Sequence, residues 1–60
     1  MRRRSEIESE IVEKTRYWAN AVKAAEATKG TEYEEMHLGS ASHFNKVVME
    51  LVEEAAKARY

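Results

Sequence analysis

Two segments of this chain begin with the same helix-start motif, and a glycine separates them. The residues from Ser5 to Glu8 and from Thr31 to Glu34 both read Ser/Thr-x-x-Glu. In this capping box the hydroxyl accepts a hydrogen bond from the third amide of the helix, and the glutamate reaches back to the amide of the capping residue. Gly30 precedes the second motif, and glycine readily adopts the left-handed backbone that closes a helix. The pattern predicts two helices joined by a very short link.

The chain contains no proline, so it has no residue that forbids a long helix. We predict an all-α fold, an antiparallel helical hairpin (αα-hairpin) with one helix from Ser5 to Thr28 and a second from Thr31 to Arg59. Gly39 lies inside the second helix, and a break near it is the alternative to a continuous helix. A single interior glycine costs only about 1 kcal/mol relative to alanine, so the sequence favours the continuous helix.

Both predicted helices carry apolar residues on one face. At 100° per residue, the first helix groups the side chains of Ile7, Ile11, Trp18, Val22 and Ala25. The second helix groups those of Phe44, Val47, Val48, Leu51, Ala55 and Ala58. With their flanking residues, these apolar arcs are wider than the strip that one neighbouring helix covers. The hairpin is therefore expected to leave apolar surface for another chain.

Sixty residues without cysteine make a small domain that has no disulfide. Below roughly 70–80 residues a single core seldom supplies more than a few kcal/mol of stability, and small domains add disulfides, metals or a partner chain. We therefore expect one domain over residues 1–60, with a flexible basic arm at 1–4, that dimerises into a four-helix bundle. The residues expected to carry self-association are Ile7, Ile11, Trp18, Val22, Phe44, Val48, Leu51 and Val52.

The hairpin register predicts a contact for the one tryptophan of the chain. Antiparallel pairing about Gly30 brings Trp18 level with residues 39–42, which are Gly, Ser, Ala and Ser. A large side chain facing small ones lets two helix layers interdigitate. We therefore expect Gly39→Leu to disturb this layer.

Candidate metal ligands lie beside the turn. Glu34 and His37 have the i, i+3 spacing by which helical bundles present two metal ligands on one face, and Glu26 is a third candidate. Only one such pair occurs, and Glu34 also belongs to a capping box. We therefore expect a capping glutamate and a locally hydrogen-bonded histidine, and no cofactor.

His43 follows Ser42, a pair of residue types that nucleophilic catalysis uses. That chemistry needs a base oriented by a third group and an oxyanion site in a pocket that excludes water. The chain contains neither cysteine nor aspartate, and a hairpin of this length has no concavity of its own. We expect a surface histidine and no enzymatic activity.

Three consecutive arginines, Arg2, Arg3 and Arg4, form the one basic cluster. Arms of this kind bind phosphates or acidic partners. Eleven acidic residues, all glutamate, cover much of the remaining sequence and argue against a broad nucleic-acid surface. Nucleic-acid binding through this arm is therefore the alternative function.

The leading hypothesis is a non-enzymatic interaction or regulatory protein, a homodimeric helical bundle that binds another protein through its helix faces. No apolar run approaches the roughly 18 residues of a membrane span, and we expect no membrane contact and a cytoplasmic location. Besides nucleic-acid binding, the other alternative is a metal-binding bundle that uses Glu34 and His37.

Overall fold

The computed structural model describes residues 2–58 and contains two helices. Helix α1 spans Arg4–Ala27 and helix α2 spans Tyr33–Lys57. They pack along each other as an antiparallel hairpin, so the predicted all-α fold is confirmed. Helix α2 continues through Gly39 without a break. The predicted end of the second helix at Arg59 lies outside the described residues.

The start of α1 differs from the prediction. The carbonyl oxygen of Arg3 accepts hydrogen bonds from the amides of Glu6 and Ile7, both at 3.1 Å. The helical ladder therefore begins before Ser5, and Arg3 rather than Ser5 is the capping residue, without a side-chain capping bond. The capping box predicted at Ser5 is wrong because Ser5 already lies inside the first turn.

The turn between the helices depends on Gly30 and Thr31. Gly30 has a φ of 84°, which confirms the left-handed residue predicted after α1. The hydroxyl of Thr31 donates to the carbonyl of Thr28 at 2.6 Å and accepts from the amide of Tyr33 at 3.2 Å. The second capping box is therefore wrong in detail, because this hydroxyl caps the amide of Tyr33 and not that of Glu34.

The core lies near the open end of the hairpin, where the start of α1 lies beside the end of α2. Ile7 is only 1% exposed and packs in a cluster with Leu51, Ala55 and Ala58, and Ile11 and Val47 flank this cluster. Toward the turn the buried residues are Ala21, Ala25 and Ala41. The half-buried Val22 and His37 flank these alanines.

The predicted packing of Trp18 against four small residues is wrong. Only Ala41 of that segment is buried, and a Cβ added at Gly39 would have no neighbour within 4 Å. The physical reason is the helical period: at 100° per residue, four consecutive residues cannot share one face. Gly39 points away from α1, so Gly39→Leu has no layer to disturb.

The hairpin is a short rod. Its Cα atoms extend over 45 × 13 × 12 Å with a radius of gyration of 13.8 Å, whereas a compact sixty-residue domain has about 10 Å. Within residues 2–58, neither helix is long and apolar enough to cross a membrane. A rod of two helices has no third layer, so each helix keeps one side uncovered.

Candidate interaction surfaces

The two helices together present two broad faces, one on each side of the plane that contains their axes. The rings of Tyr17 and Phe44 lie 5.5 Å apart, and Arg2 forms an ion pair with Glu54 at 2.6 Å. These contacts identify the side of α1 and the side of α2 that belong to the same face. The helical period of 100° per residue then places the other residues on the same face or on the opposite one.

The face opposite these contacts is largely uncharged, and we refer to it as the apolar face. It carries four exposed large apolar side chains, those of Trp18, Leu38, Met49 and Val52. Val12 lies at the outer edge of α1, where it shares a depression with Arg16 and Tyr17. Its half-buried and small members are Ile11, Ala19, Val22, Ala41, Val48 and Ala56. Two uncharged polar residues, Thr15 and Asn45, lie at its middle. The charged residues follow near the two ends, Arg4 and Glu8 at the open end and Glu26 and Glu34 at the turn.

The face that holds the Tyr17 ring is acidic, and we refer to it as the acidic face. Its carboxylates are those of Glu6, Glu10, Glu13, Glu50 and Glu54. The Nζ atom of Lys14 lies 5.3 Å from the centre of the Tyr17 ring and 3.4 Å from a carboxylate oxygen of Glu13. Near the turn, this face exposes Tyr33 and Met36. Basic side chains lie among these carboxylates, since Arg16 shares a depression with Tyr17 and Glu13, and Lys57 shares one with Arg2 and Glu54. The face therefore carries charges of both signs.

The basic arm is attached to the acidic face. The guanidinium of Arg2 donates to both carboxylate oxygens of Glu54, at 2.6–3.0 Å, and also forms an ion pair with Glu10. Arg4 lies inside α1 and is half-buried. The arm therefore presents less positive charge to a nucleic acid than three arginines in sequence suggest.

The residues predicted to carry self-association fall into three groups. Ile7 and Leu51 are buried within the hairpin itself. Four others are half-buried, namely Ile11, Val22, Phe44 and Val48. Trp18 and Val52 are 39% and 46% exposed on the apolar face. Of the eight, the exposed and half-buried members of the apolar face are those that a second chain could still cover.

The candidate metal ligands do not form a cluster. Among residues 2–58, no three histidine or carboxylate side chains come together in an arrangement that could hold a metal ion. His37 is half-buried, whereas Glu26 is exposed on α1. A metal site at these residues would therefore need ligands from a second chain.

His43 has an aromatic neighbour instead of a catalytic one. Its ring lies edge-on to Phe44, with centroids 5.4 Å apart. A depression of about 210 Å³ opens at the other end of the hairpin, lined by Arg2, Ile7, Glu54, Lys57 and Ala58. The lining of this depression contains no serine, cysteine or histidine side chain.

Sequence reasoning missed two contacts that define the faces. It placed Tyr17 outside the buried arc, yet Tyr17 contacts Phe44 across the hairpin. It treated Arg2 as part of a free arm, yet Arg2 reaches Glu54. Antiparallel register was the available signal, since the residue numbers sum to 61 for Tyr17 and Phe44 and to 56 for Arg2 and Glu54, near the sum expected for pairing about Gly30.

No protein-family model, curated protein or solved structure matches this chain.

Proposed function

We propose that this chain is a non-enzymatic interaction protein that forms a homodimeric four-helix bundle and binds another protein. The apolar face carries the proposal. Its four large apolar side chains, from Trp18 to Val52, are between 39% and 58% exposed. A group of exposed large apolar side chains on one face is typical of a protein–protein contact.

The accessible area of the hairpin supports the same proposal. The chain exposes 4841 Å², whereas a compact monomer of its 6.9 kDa mass exposes about 4000 Å². The excess of about 800 Å² equals the area that each partner contributes to a standard protein–protein interface.

The acidic face would stay accessible in such a dimer and could bind the other protein. Tyr33 and Met36 project from it next to the turn, and Met36 is 59% exposed. Tyrosine and methionine are favoured at protein interfaces because they bury a large area at a small entropic cost.

Val52→Glu tests the dimer. We expect the wild-type chain to sediment at twice its 6.9 kDa mass and Val52→Glu to shift toward the monomer, because a charge would be buried in the interface. Glutamate is a better helix former than valine, so helix propensity cannot explain a loss of association. Met36→Glu on the acidic face is the matched control and should leave the dimer unchanged.

A wild-type chain that sediments as a compact folded monomer at micromolar concentration would contradict the proposal. So would equal weakening by Val52→Glu and Met36→Glu, because the apolar face would then have no special role. Circular dichroism of the same samples reports whether each variant is still helical.

The same two variants test binding of the other protein. A protein captured by the wild-type chain should be lost with Met36→Glu, which keeps the dimer intact. Retention of every captured protein by Met36→Glu and by Tyr33→Glu would exclude this surface. The proposal keeps the cytoplasmic location expected from the sequence, which fractionation of cells that express a tagged chain would check.

A further inference from the structure

We propose that the second copy lies antiparallel across the apolar face, so that the turn of one hairpin meets the open end of the other. Each α1 then faces the α1 of the partner, and Arg4 binds Glu26 of the partner subunit. Asn45 lies at the two-fold axis. This inference rests on the proposed homodimer and adds the orientation and register of its two chains.

The apolar residues are arranged symmetrically about the middle of the face. Leu38 and Val52 lie seven residues before and after Asn45, and Ile11 and Ala19 lie four residues before and after Thr15. A two-fold axis at Thr15 and Asn45 therefore pairs each of these residues with an apolar residue of the other copy. In a two-fold interface, a residue i that contacts residue j of the other copy is matched by residue j contacting residue i. The symmetric spacing meets this requirement.

The charged ends of the face decide between the two possible orientations. In a parallel dimer, Glu26 of one copy would lie beside Glu34 of the partner subunit, and this repulsion would occur twice. In the antiparallel dimer, Glu26 lies level with Arg4 of the partner subunit, since both are eleven residues from Thr15. The antiparallel dimer thus brings opposite charges together, whereas the parallel dimer would bring like charges together.

The other charged residues near the two ends of the apolar face do not change the preference for the antiparallel orientation. Lys29 and Glu32 are both exposed in the turn and offset each other. At the open end the charges of Arg4 and Glu8 offset each other, and Glu8 lies level with the apolar Val22 of the partner subunit. The turn end of the face is therefore net negative and the open end is not, so the parallel orientation alone brings two like-charged ends together.

Asn45 sets the register of the dimer. It is exposed in the middle of the apolar face, and its amide can both donate to and accept from the same amide of the other copy. If the two chains shift along each other, the amide is buried against apolar side chains without a partner, which costs free energy. A single polar residue within an apolar helix interface selects register in this way.

A distance between spin labels tests the orientation. The chain contains no cysteine, so Lys29→Cys at the exposed turn accepts a single label. At 1.5 Å per residue, the antiparallel dimer separates the two labels by roughly 40 Å, whereas a parallel dimer brings them within about 20 Å. A narrow distribution near 40 Å is the expected result.

The possible failures of this experiment are distinguishable. A labelled chain that sediments as a monomer and shows no dipolar coupling would contradict the proposed homodimer. A chain that sediments as a dimer with a short label distance would overturn the antiparallel orientation and leave the homodimer intact.

Reversing the charges of Arg4 and Glu26 tests whether these residues pair across the dimer. We expect Glu26→Arg to raise the dissociation constant of the dimer by about three- to tenfold, since two exposed pairs become repulsive. The double variant with Arg4→Glu should restore it, and Glu13→Arg on the acidic face should have no effect. Equal dissociation constants for the single and double variants would overturn the pairing.

Asn45→Leu tests the register. Dimers of this variant should be tighter but should give a broader distribution of label distances, because the polar contact that selects one register is gone. A distribution as narrow as that of the Asn45 protein would overturn the role assigned to this residue.

Discussion

The two glycines of the chain occupy backbone positions with opposite requirements. Gly30 has a φ of 84° in the turn, whereas Gly39 lies inside α2 with open space around the position of a Cβ atom. Adding a side chain at Gly30 would therefore strain the backbone, whereas adding one at Gly39 would not. Identical substitutions at these residues should have opposite effects.

Gly30→Ala should lower the free energy of unfolding by about 1 kcal/mol, because an L-residue is strained in the left-handed conformation. Gly39→Ala should raise it by about 0.5–1 kcal/mol, because alanine loses less backbone entropy in a helix. Urea unfolding at one protein concentration measures both. A stabilising Gly30→Ala would contradict the assignment of the turn.

The hydroxyl of Thr31 connects the end of α1 to the start of α2. Thr31→Val keeps the shape of the side chain and removes both hydrogen bonds, and should cost about 1 kcal/mol of unfolding free energy. Ser9→Ala is the control, since the Ser9 hydroxyl is exposed and bonds only within α1. If the two substitutions have the same effect, Thr31 does not join the helices.

At the scale of the elements, α1 and α2 are held together unevenly along their length. The cluster around Ile7 joins them at the open end, and three alanines face each other toward the turn. Burial of apolar area stabilises a contact in proportion to its size. The open end therefore contributes most of the packing energy of the hairpin, and the turn keeps the other end closed.

Ile7→Ala should destabilise the protein by about 2–5 kcal/mol per chain, because it leaves a cavity in the one tight cluster. Met36→Ala is the control, since this side chain is 59% exposed and should change stability by less than about 0.5 kcal/mol. Thermal and urea unfolding followed by circular dichroism would measure the difference. A cost at Ile7 as small as that at Met36 would place the core elsewhere.

At the scale of the whole molecule, the proposed homodimer would link stability to association. A two-helix rod 45 Å long cannot cover its own apolar face, so in the proposed dimer the folded dimer and the unfolded chains would exchange in one equilibrium. The melting temperature should then rise by about 5 °C for each tenfold increase in protein concentration. A melting temperature independent of concentration would contradict a folded state that requires two chains.

Much of the fold could be predicted because helix signals are local. The two helices, the left-handed glycine and the approximate register follow from residue types a few positions apart. The errors concern particular side chains. Ser5 does not cap α1 because Arg3 provides the first carbonyl, and Gly39 does not face Trp18 because the period of α2 turns it outward.

Residue order along each helix therefore determined which side chains share one stripe of α1 or of α2. The tertiary structure decided how far each helix is rotated about its own axis when the two pack together. That rotation brings Tyr17, and not Trp18, to Phe44, and it leaves Trp18 and Val52 exposed on the same face. Periodicity within one helix cannot show this, because rotation is decided by contacts between residues far apart in the chain.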